Sequence, residues 1–181
     1  MKSMEELFHA QLQDVYFAEK QLLKALPKLA KNSTNEQLTQ AFTHHLKETE
    51  GQVDRLEKVF ELIEKKPRGR KCDAILGIIA EGQEVIEDVD DDAVRDAGLV
   101  AAGQAAEHYE IARYGTLAAW AQLLGLEEAV ELLNETLAEE KKADELLTSI
   151  AADGVNEAAA PGKRRNKRRA CGPSADNYGD P

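Results

Sequence analysis

The sequence predicts an all-α protein, a bundle of four long helices in two hairpins joined by a crossover that contains a short fifth helix. Its 181 residues suit one domain with a core of its own. Only 5% of them are aromatic, whereas the helix-forming residues Ala, Leu, Glu and Lys are frequent. Apolar residues also recur every three or four positions along four long segments, which is typical of amphipathic helices.

The first hairpin begins with a helix predicted over residues 4–31. Pro27 lies inside this segment and is expected to kink the helix or loosen it. Residues 32–35 (NSTN) supply a turn, because short polar side chains favour turns and helix starts. Ser33 or Thr34 is expected to cap the second helix.

The second helix is predicted to run to about Lys66, where a basic segment with a proline ends it. A shorter helical pattern from Asp73 to Asp88 forms the expected crossover helix. The second hairpin then comprises a third long helix over residues 93–124 and a fourth over residues 127–152. Gly125 stands where a short turn between them is expected. Two hairpins joined by a crossover are a known topology of four-helix bundles.

The helical pattern stops near the carboxyl end of the chain. We therefore predict a bundle domain over residues 1–153 and a flexible basic tail over residues 154–181. Residues 1–150 carry 17 Lys/Arg and 30 Asp/Glu, a net charge of −13, which argues against nucleic-acid binding by the body of the protein. The basic run at residues 163–169 either contacts nucleic acid or an acidic partner, or is simply solvated.

The apolar segments, the amino-terminal residues and the cysteines bear on where the protein is located. No segment has the roughly 20 consecutive apolar residues of a membrane span, so no membrane contact is expected. The amino-terminal residues are acidic and amphipathic and do not resemble a secretory signal, which favours a cytoplasmic protein. Cys72 and Cys171 are too few for a disulfide framework, and Cys72 is expected to be a small buried residue at a helix start.

Acidic residues interrupt the apolar stripe of each long helix. Glu19 stands on the stripe of the first helix, Glu48 on or beside that of the second, Glu110 on the third and Glu140 on the fourth. A buried carboxylate is costly, and several together are more so because like charges repel. Four helices that each present one therefore predict a compensating cation between them.

The heights of these residues in the bundle also agree. Glu19 and Glu48 are equidistant from the turn at residues 33–34, and Glu110 and Glu140 are equidistant from Gly125. Antiparallel hairpins bring such residues to the same level, so the carboxylates should meet near mid-height. Carboxylates are the groups that bridge and neutralise two hard or borderline cations. The four glutamates are thus the predicted core ligands of a dinuclear site, and the further candidates are Glu107, Asp144, His45 and Gln52.

Four motifs extend this interpretation to a family. They are DVYFAEKQ at residues 14–21, HLKETEGQ at 45–52, EHYEIARYGT at 107–116 and TLAEEKKAD at 136–144. Together they resemble the YciF-type ferritin-like family of bacterial stress-associated proteins. The resemblance covers residues 3–150 and implies a ferritin-like bundle, a dinuclear metal site, a homodimer and a link to stress responses. It implies no defined reaction.

The ligand set departs from the usual ferritin-like pattern, in which two helices each supply a Glu and the other two each supply Glu-x-x-His. Here Gly51 follows Glu48 at the third position, and Ala143 follows Glu140. Few nitrogen ligands leave the metal open, with two Fe ions favoured and Mn or a mixed Fe/Mn pair as alternatives. His45 is either a ligand or a core histidine bonded to a neighbour.

Other polar residues near these motifs are expected to have other roles. Asp14 and His108 should lie outside the site. Tyr16, Tyr109 and Tyr114 are expected to pack in the bundle with their hydroxyl groups hydrogen-bonded.

Three functions fit these expectations. The first is a di-iron protein that oxidises Fe(II) with oxygen or peroxide and so sequesters iron or removes oxidant. The second is a non-enzymatic helical stress protein whose metal is structural and which acts through a dimer or a partner. The third, a manganese catalase-like enzyme, normally needs histidine ligands that are absent here. Oxidation of Fe(II) separates the first from the second, and peroxide disproportionation without Fe(II) would favour the third.

Overall fold

A computed structural model describes residues 1–161 of the chain, and every regular element in this range is helical. The predicted all-α bundle is confirmed. Its helices are α1 Met4–Asn32, α2 Glu36–Leu62, α3 Asp73–Asp88, α4 Asp92–Leu123, α5 Glu127–Ile150 and, after a π-helical segment at Ala151–Val155, α6 Asn156–Ala159. No helix within these 161 residues is both long and apolar enough to cross a membrane.

The four long helices form two hairpins, α1 with α2 and α4 with α5. The hairpins meet where α2 packs on α5 and α1 on α4, and the crossover helix α3 covers α4 and α1. Buried apolar side chains form two clusters. One includes Leu22, Phe42 and Leu147, and the other includes Leu12, Phe60 and Leu133. The buried carboxylates described below lie between these two halves of the core.

The turn between α1 and α2 corrects the predicted cap. Asn35, rather than Ser33 or Thr34, caps α2, because its side-chain oxygen accepts a hydrogen bond from the backbone N–H of Leu38 at 3.0 Å. The hydroxyl of Thr34 instead donates to Asp96 at 2.7 Å. Ser33 lies at the end of α1, where its backbone N–H bonds back into that helix. A contact with α4 thus decides which polar residue becomes the cap.

The end of α2 comes four residues earlier than predicted. Glu64 adopts a positive φ of 56°, and the N–H of Lys65 bonds to the carbonyl of Phe60 at 2.9 Å. This is the hydrogen-bonding pattern that closes many helices. The same pattern at the end of α4 has the predicted Gly125 at φ 71°. Pro27 lies within α1, which continues past it to Asn32.

Helical structure continues beyond the predicted end of the bundle at residue 153. Gly154, at φ 135°, turns the chain so that Val155 is buried against the core, and α6 follows to Ala159. Cys72 is buried at the start of α3, with its sulfur 3.1 Å from the hydroxyl of Tyr109. The basic run at residues 163–169 and Cys171 lie outside the described residues. The homodimer stays a prediction, since a single chain is described.

Candidate metal centre

Four buried side chains from three helices converge at mid-height of the bundle. They are His45 of α2, Glu107 and Glu110 of α4, and Glu140 of α5. Each offers a ligand atom, and these atoms all lie within 4.8 Å of one another. Glu107 and Glu110 share a face of α4 because residues three apart in a helix are neighbours.

Glu19 brings α1 into the same site. Its side chain is fully buried, and its Oε1 atom accepts a hydrogen bond from the hydroxyl of Tyr114. The charge of Glu19 acts on both Glu110 and Glu140. All four long helices therefore place a group around one buried centre, as the apolar stripes predict.

Unpartnered oxygen atoms mark this centre within residues 1–161. Six buried side-chain oxygen or nitrogen atoms in this range have no hydrogen-bond partner, and all six are oxygens of the site. They are Glu19 Oε2, Gln52 Oε1, Glu107 Oε2, both carboxyl oxygens of Glu110, and Glu140 Oε2. Buried polar atoms are normally bonded, since an unpaired one costs about 1–3 kcal/mol and a charged one more. A cation can satisfy such a set of acceptors, and so can protons shared between Glu19 and Glu110 and between Glu107 and Glu140.

The pKa values of the carboxyl groups reflect the same shortage of partners. Burial raises the pKa of Glu19 to about 8, with the charge of Glu140 adding to the effect. Burial likewise raises the pKa of Glu107 to about 7. The pKa values of Glu110 and Glu140 are raised well above their usual range, by burial first and then by neighbouring carboxyl groups. Without a cation, these groups tend to keep their protons at neutral pH.

His45 links the buried centre to its outer edge. Its Nδ1 atom is 3.2 Å from Glu48 Oε2, and its Nε2 atom lies 3.4 Å from Glu107 Oε1 and 3.6 Å from Glu140 Oε2. Burial lowers the pKa of His45, but the bond to Glu48 and the charges of Glu140 and Glu19 outweigh this, and the net pKa is raised. A carboxylate on one ring nitrogen orients the other, as is common for metal-binding histidines.

Glu48 lies at the edge of the site rather than among the four converging groups. Its side chain is 24% exposed and touches His44 Nε2 at 3.3 Å as well as His45. The hydrogen bond with His45 is the main cause of its lowered pKa. The structure thus places His45 in the position among the carboxylates that the sequence assigned to Glu48.

Gln52 and Asp144 take different positions. Gln52 is fully buried, and its amide nitrogen donates to Glu140 and to Glu139 Oε2. Its Oε1 atom is one of the six unpartnered oxygens. Asp144 is partly exposed and accepts from Gln104 at 2.9 Å, outside the four converging groups.

The residues that were expected to lie outside the site or to pack in the bundle do so, and Tyr114 has a further role. Asp14 pairs with Arg70, and the exposed His108 contacts only the outer carboxylate Asp144, so neither reaches the centre. Each of the three tyrosines named above has a hydrogen-bonded hydroxyl. Tyr114 does more than pack, since it donates directly to Glu19 of the site.

One polar network beside the centre is not among the residues predicted above. Arg55 donates to Thr136 Oγ1 and Glu135 at 2.9 Å each and also to Glu139, which in turn accepts from Gln52. This network ties α2 to α5 beside the centre. A signal for it exists in the spacing, because Gln52 and Arg55 share one helix face and the two glutamates, four residues apart, share another.

These groups define the chemistry that the centre can support. Carboxylate oxygens with a single imidazole suit hard or borderline divalent cations such as Fe(II) and Mn(II). The attraction between carboxylates and a cation is stronger in the low-dielectric interior than in water. The site therefore fits a metal ion by the nature of its donor atoms and by their lack of other partners.

A family model and a curated relative both match most of the chain. The family described as a domain of unknown function (DUF892) matches residues 3–160. Protein YciF of Escherichia coli (strain K12) is 51% identical over 160 residues, which cover 88% of this chain and 96% of that protein.

Solved structures agree with the fold. The crystal structure of the E. coli stress protein YciF superposes with a TM-score of 0.83 at 51% identity, over 87% of this chain and 99% of that one. YcfI from Rhodopseudomonas palustris gives a TM-score of 0.80 at 48% identity, over 81% and 94%. A Xanthomonas campestris protein gives 0.66 at 20% identity, over 87% and 100%, and supports the fold alone.

Proposed function

This chain belongs to the DUF892 family of YciF-like proteins, and from that premise we propose that it binds two metal ions, preferably iron, in its core and oxidises Fe(II). The observation that carries the proposal is the set of six buried oxygen atoms without hydrogen-bond partners, gathered in one site. A fold that merely needed a stable core would place apolar side chains there, because buried unpaired acceptors destabilise it.

Charge supports the proposed number of ions. Four buried carboxyl groups, Glu19, Glu107, Glu110 and Glu140, carry four negative charges when ionised. Two divalent cations would neutralise them, whereas one would leave a net negative charge in the core. Gln52 Oε1 and the deprotonated Nε2 of His45 are uncharged ligand atoms available to the same pair of ions.

Metal binding requires the buried carboxyl groups to lose their protons. The raised pKa values of Glu19 and Glu107 mean that both groups hold protons near neutral pH, so binding releases protons. Tyr114 donates to one oxygen of Glu19, and Gln52 donates to one oxygen of Glu140; the second oxygen of each carboxyl group has no hydrogen-bond partner. Bound iron would supply one-electron redox chemistry in a region shielded from bulk water.

The second candidate function is a structural one, in which the protein binds the metal but catalyses no reaction. The centre separates two halves of the apolar core, so a cation there would stabilise the bundle directly. The protein would then be a stress protein, as its E. coli relative is described, with a structural metal site.

An anaerobic Fe(II) titration of chelator-treated protein tests binding, and admitting dioxygen then tests oxidation. We compare wild type with Glu140→Gln, which keeps the side-chain shape but removes a buried charge, and with Glu145→Gln, an exposed control on the same helix. Wild type and the control are expected to bind two Fe(II) per chain and to oxidise them, and the Glu140→Gln variant to bind at least tenfold more weakly.

The alternatives give different results in the same experiment. Stoichiometric binding without loss of Fe(II) on adding dioxygen or peroxide would favour the structural metal. Disproportionation of peroxide by Mn(II)-loaded protein would favour the catalase-like reaction. Absence of binding of either metal by the wild type would refute the proposal.

A further inference from the structure

A cavity leads from the surface to the metal centre between α2 and α5. Its volume is about 140 Å³. The inner end is lined by His45 and Glu107, which belong to the buried centre, together with Glu48 at its edge. The outer end is lined by the exposed side chains of His44 and Lys142. The cavity thus connects solvent with two of the groups proposed to hold the metals.

The remaining lining of the cavity is apolar. Its walls are formed by Ala41 and Phe42 of α2 and by Ala143, Leu146 and Leu147 of α5. These side chains offer no hydrogen-bond partner to a molecule that passes them. A hydrated ion would lose water contacts here without replacement, whereas a small apolar molecule would lose little.

The space exists partly because one side chain is small. Ala143 follows Glu140 by three positions, where the usual ferritin-like Glu-x-x-His pattern has a histidine. Because Ala143 lines the cavity, a larger side chain at this position would have to occupy it. Ala41 has the same role on the opposing helix and is itself buried. Two alanines in the lining, one on α2 and one on α5, therefore leave room for the passage.

We propose that this cavity is the access route by which a small uncharged diatomic molecule, of the class of dioxygen, reaches the metal centre, and that Ala143 sets its width. The inference rests on the proposed function for the presence of the metal. It goes beyond that function by assigning the route, the class of reactant and a specificity-determining residue. Ala143 is a positioning residue for access and does not bind the metal.

Xenon binding to the metal-free protein tests the cavity independently of any metal. Xenon is uncharged and enters apolar cavities of this size. In methyl NMR spectra, xenon is expected to shift the signals of Ala41, Ala143 and Leu147. The shifts of Ala41 and Leu147 should disappear in Ala143→Leu, whereas all three should persist in Ala138→Leu, which makes the same change at an exposed position of α5. Unshifted wall methyls in the wild type would overturn the proposal.

Nitric oxide binding to the Fe(II)-loaded protein tests the route. Nitric oxide is an uncharged diatomic probe, and its binding to Fe(II) is followed by stopped-flow absorbance without any oxidation. Ala143→Leu is expected to lower the second-order rate constant by about tenfold or more, the size of effect that added methylenes have in an apolar pocket. The number of Fe(II) bound should stay that of the wild type, and Ala138→Leu should leave both quantities unchanged.

A second variant in the cavity wall keeps the test valid if Ala143→Leu fails to fold. Ala41→Leu narrows the cavity from α2 and is expected to slow nitric oxide in the same way. Equal nitric oxide rates in wild type and in both wall variants would show that the molecule arrives by another path. If the wild type bound no Fe(II) while xenon still shifted the wall methyls, the proposed function would fail and the cavity itself would stand.

Discussion

Raising the pH of the metal-free protein from 5 to 7 is expected to lower its free energy of unfolding by at least about 3–5 kcal/mol. The cause is the set of buried carboxyl groups, which hold protons in the folded state that they release in the unfolded state. Burial raises the pKa of Glu107 to about 7 and that of Glu19 to about 8, both from 4.5.

The magnitude follows from proton linkage. Between the unfolded and folded pKa values, a group that is protonated only when folded lowers the free energy of unfolding by about 1.4 kcal/mol per pH unit. Glu19 and Glu107 alone give about 5 kcal/mol over two pH units, and Glu110 and Glu140, whose pKa values are also raised, add to this loss. A raised carboxyl pKa therefore contributes stability that is complete below pH 4.5. This stability is lost progressively as the pH rises from there through the folded pKa, about 7 for Glu107 and about 8 for Glu19.

Other groups near the site do not reverse this direction. The raised pKa of His45 acts in the same sense, since its stabilisation as a cation is lost as the pH rises. The lowered pKa of Glu48 matters only below about 4.5, outside the tested range. Burial lowers the pKa of His9, which opposes the trend, but its partial exposure keeps that contribution small.

Urea unfolding followed by circular dichroism, in chelator at pH 5, 6, 7 and 8, measures the effect. Glu107→Gln should reduce the slope by about 1 kcal/mol per pH unit below pH 7, and Glu145→Gln should leave it unchanged. Adding Mn(II) at pH 7 should restore stability, because a cation replaces the protons. A free energy of unfolding that stayed constant or rose between pH 5 and 7 would refute the reasoning.

Two further predictions concern the helix connections. Asp96→Ala removes three hydrogen bonds, at 2.7–2.9 Å, from the α1–α2 turn to α4 and should lower the free energy of unfolding by about 3 kcal/mol, measured in urea. The exposed Asp90→Ala control should change it by less than about 0.5 kcal/mol. Gly125→Ala should lower it by about 1 kcal/mol because φ is 71°, whereas Gly77→Ala, in open space inside α3, should raise it by a similar amount. Changes of the same sign in the two glycine variants would contradict this explanation.

Most of the fold could be predicted because its signals are local. Helical periodicity placed four long helices within a few residues of their observed bounds, and Gly125 marked the second turn. The carboxylates were found because charged residues on an apolar stripe are conspicuous. Their common height followed from the symmetry of two antiparallel hairpins, which depends only on counting residues from each turn.

Contacts distant in sequence decided the rest. His45 and Glu48 lie three residues apart on α2, so periodicity alone allowed either to face the centre. The packing of α2 against α4 and α5 turned His45 inward and left Glu48 at the edge. Thr34 could not serve as the cap because Asp96 binds it, and that contact spans 62 residues.

The sequence by itself determined which residues form helices and that carboxylates lie in the core, since both depend on spacing along one helix. Only the tertiary structure decided which of those oxygens lack partners and where the cavity beside Ala143 opens. Both depend on how closely α2, α4 and α5 approach one another. That distance is set by the packing of the side chains between the helices, to which residues from all of them contribute at once.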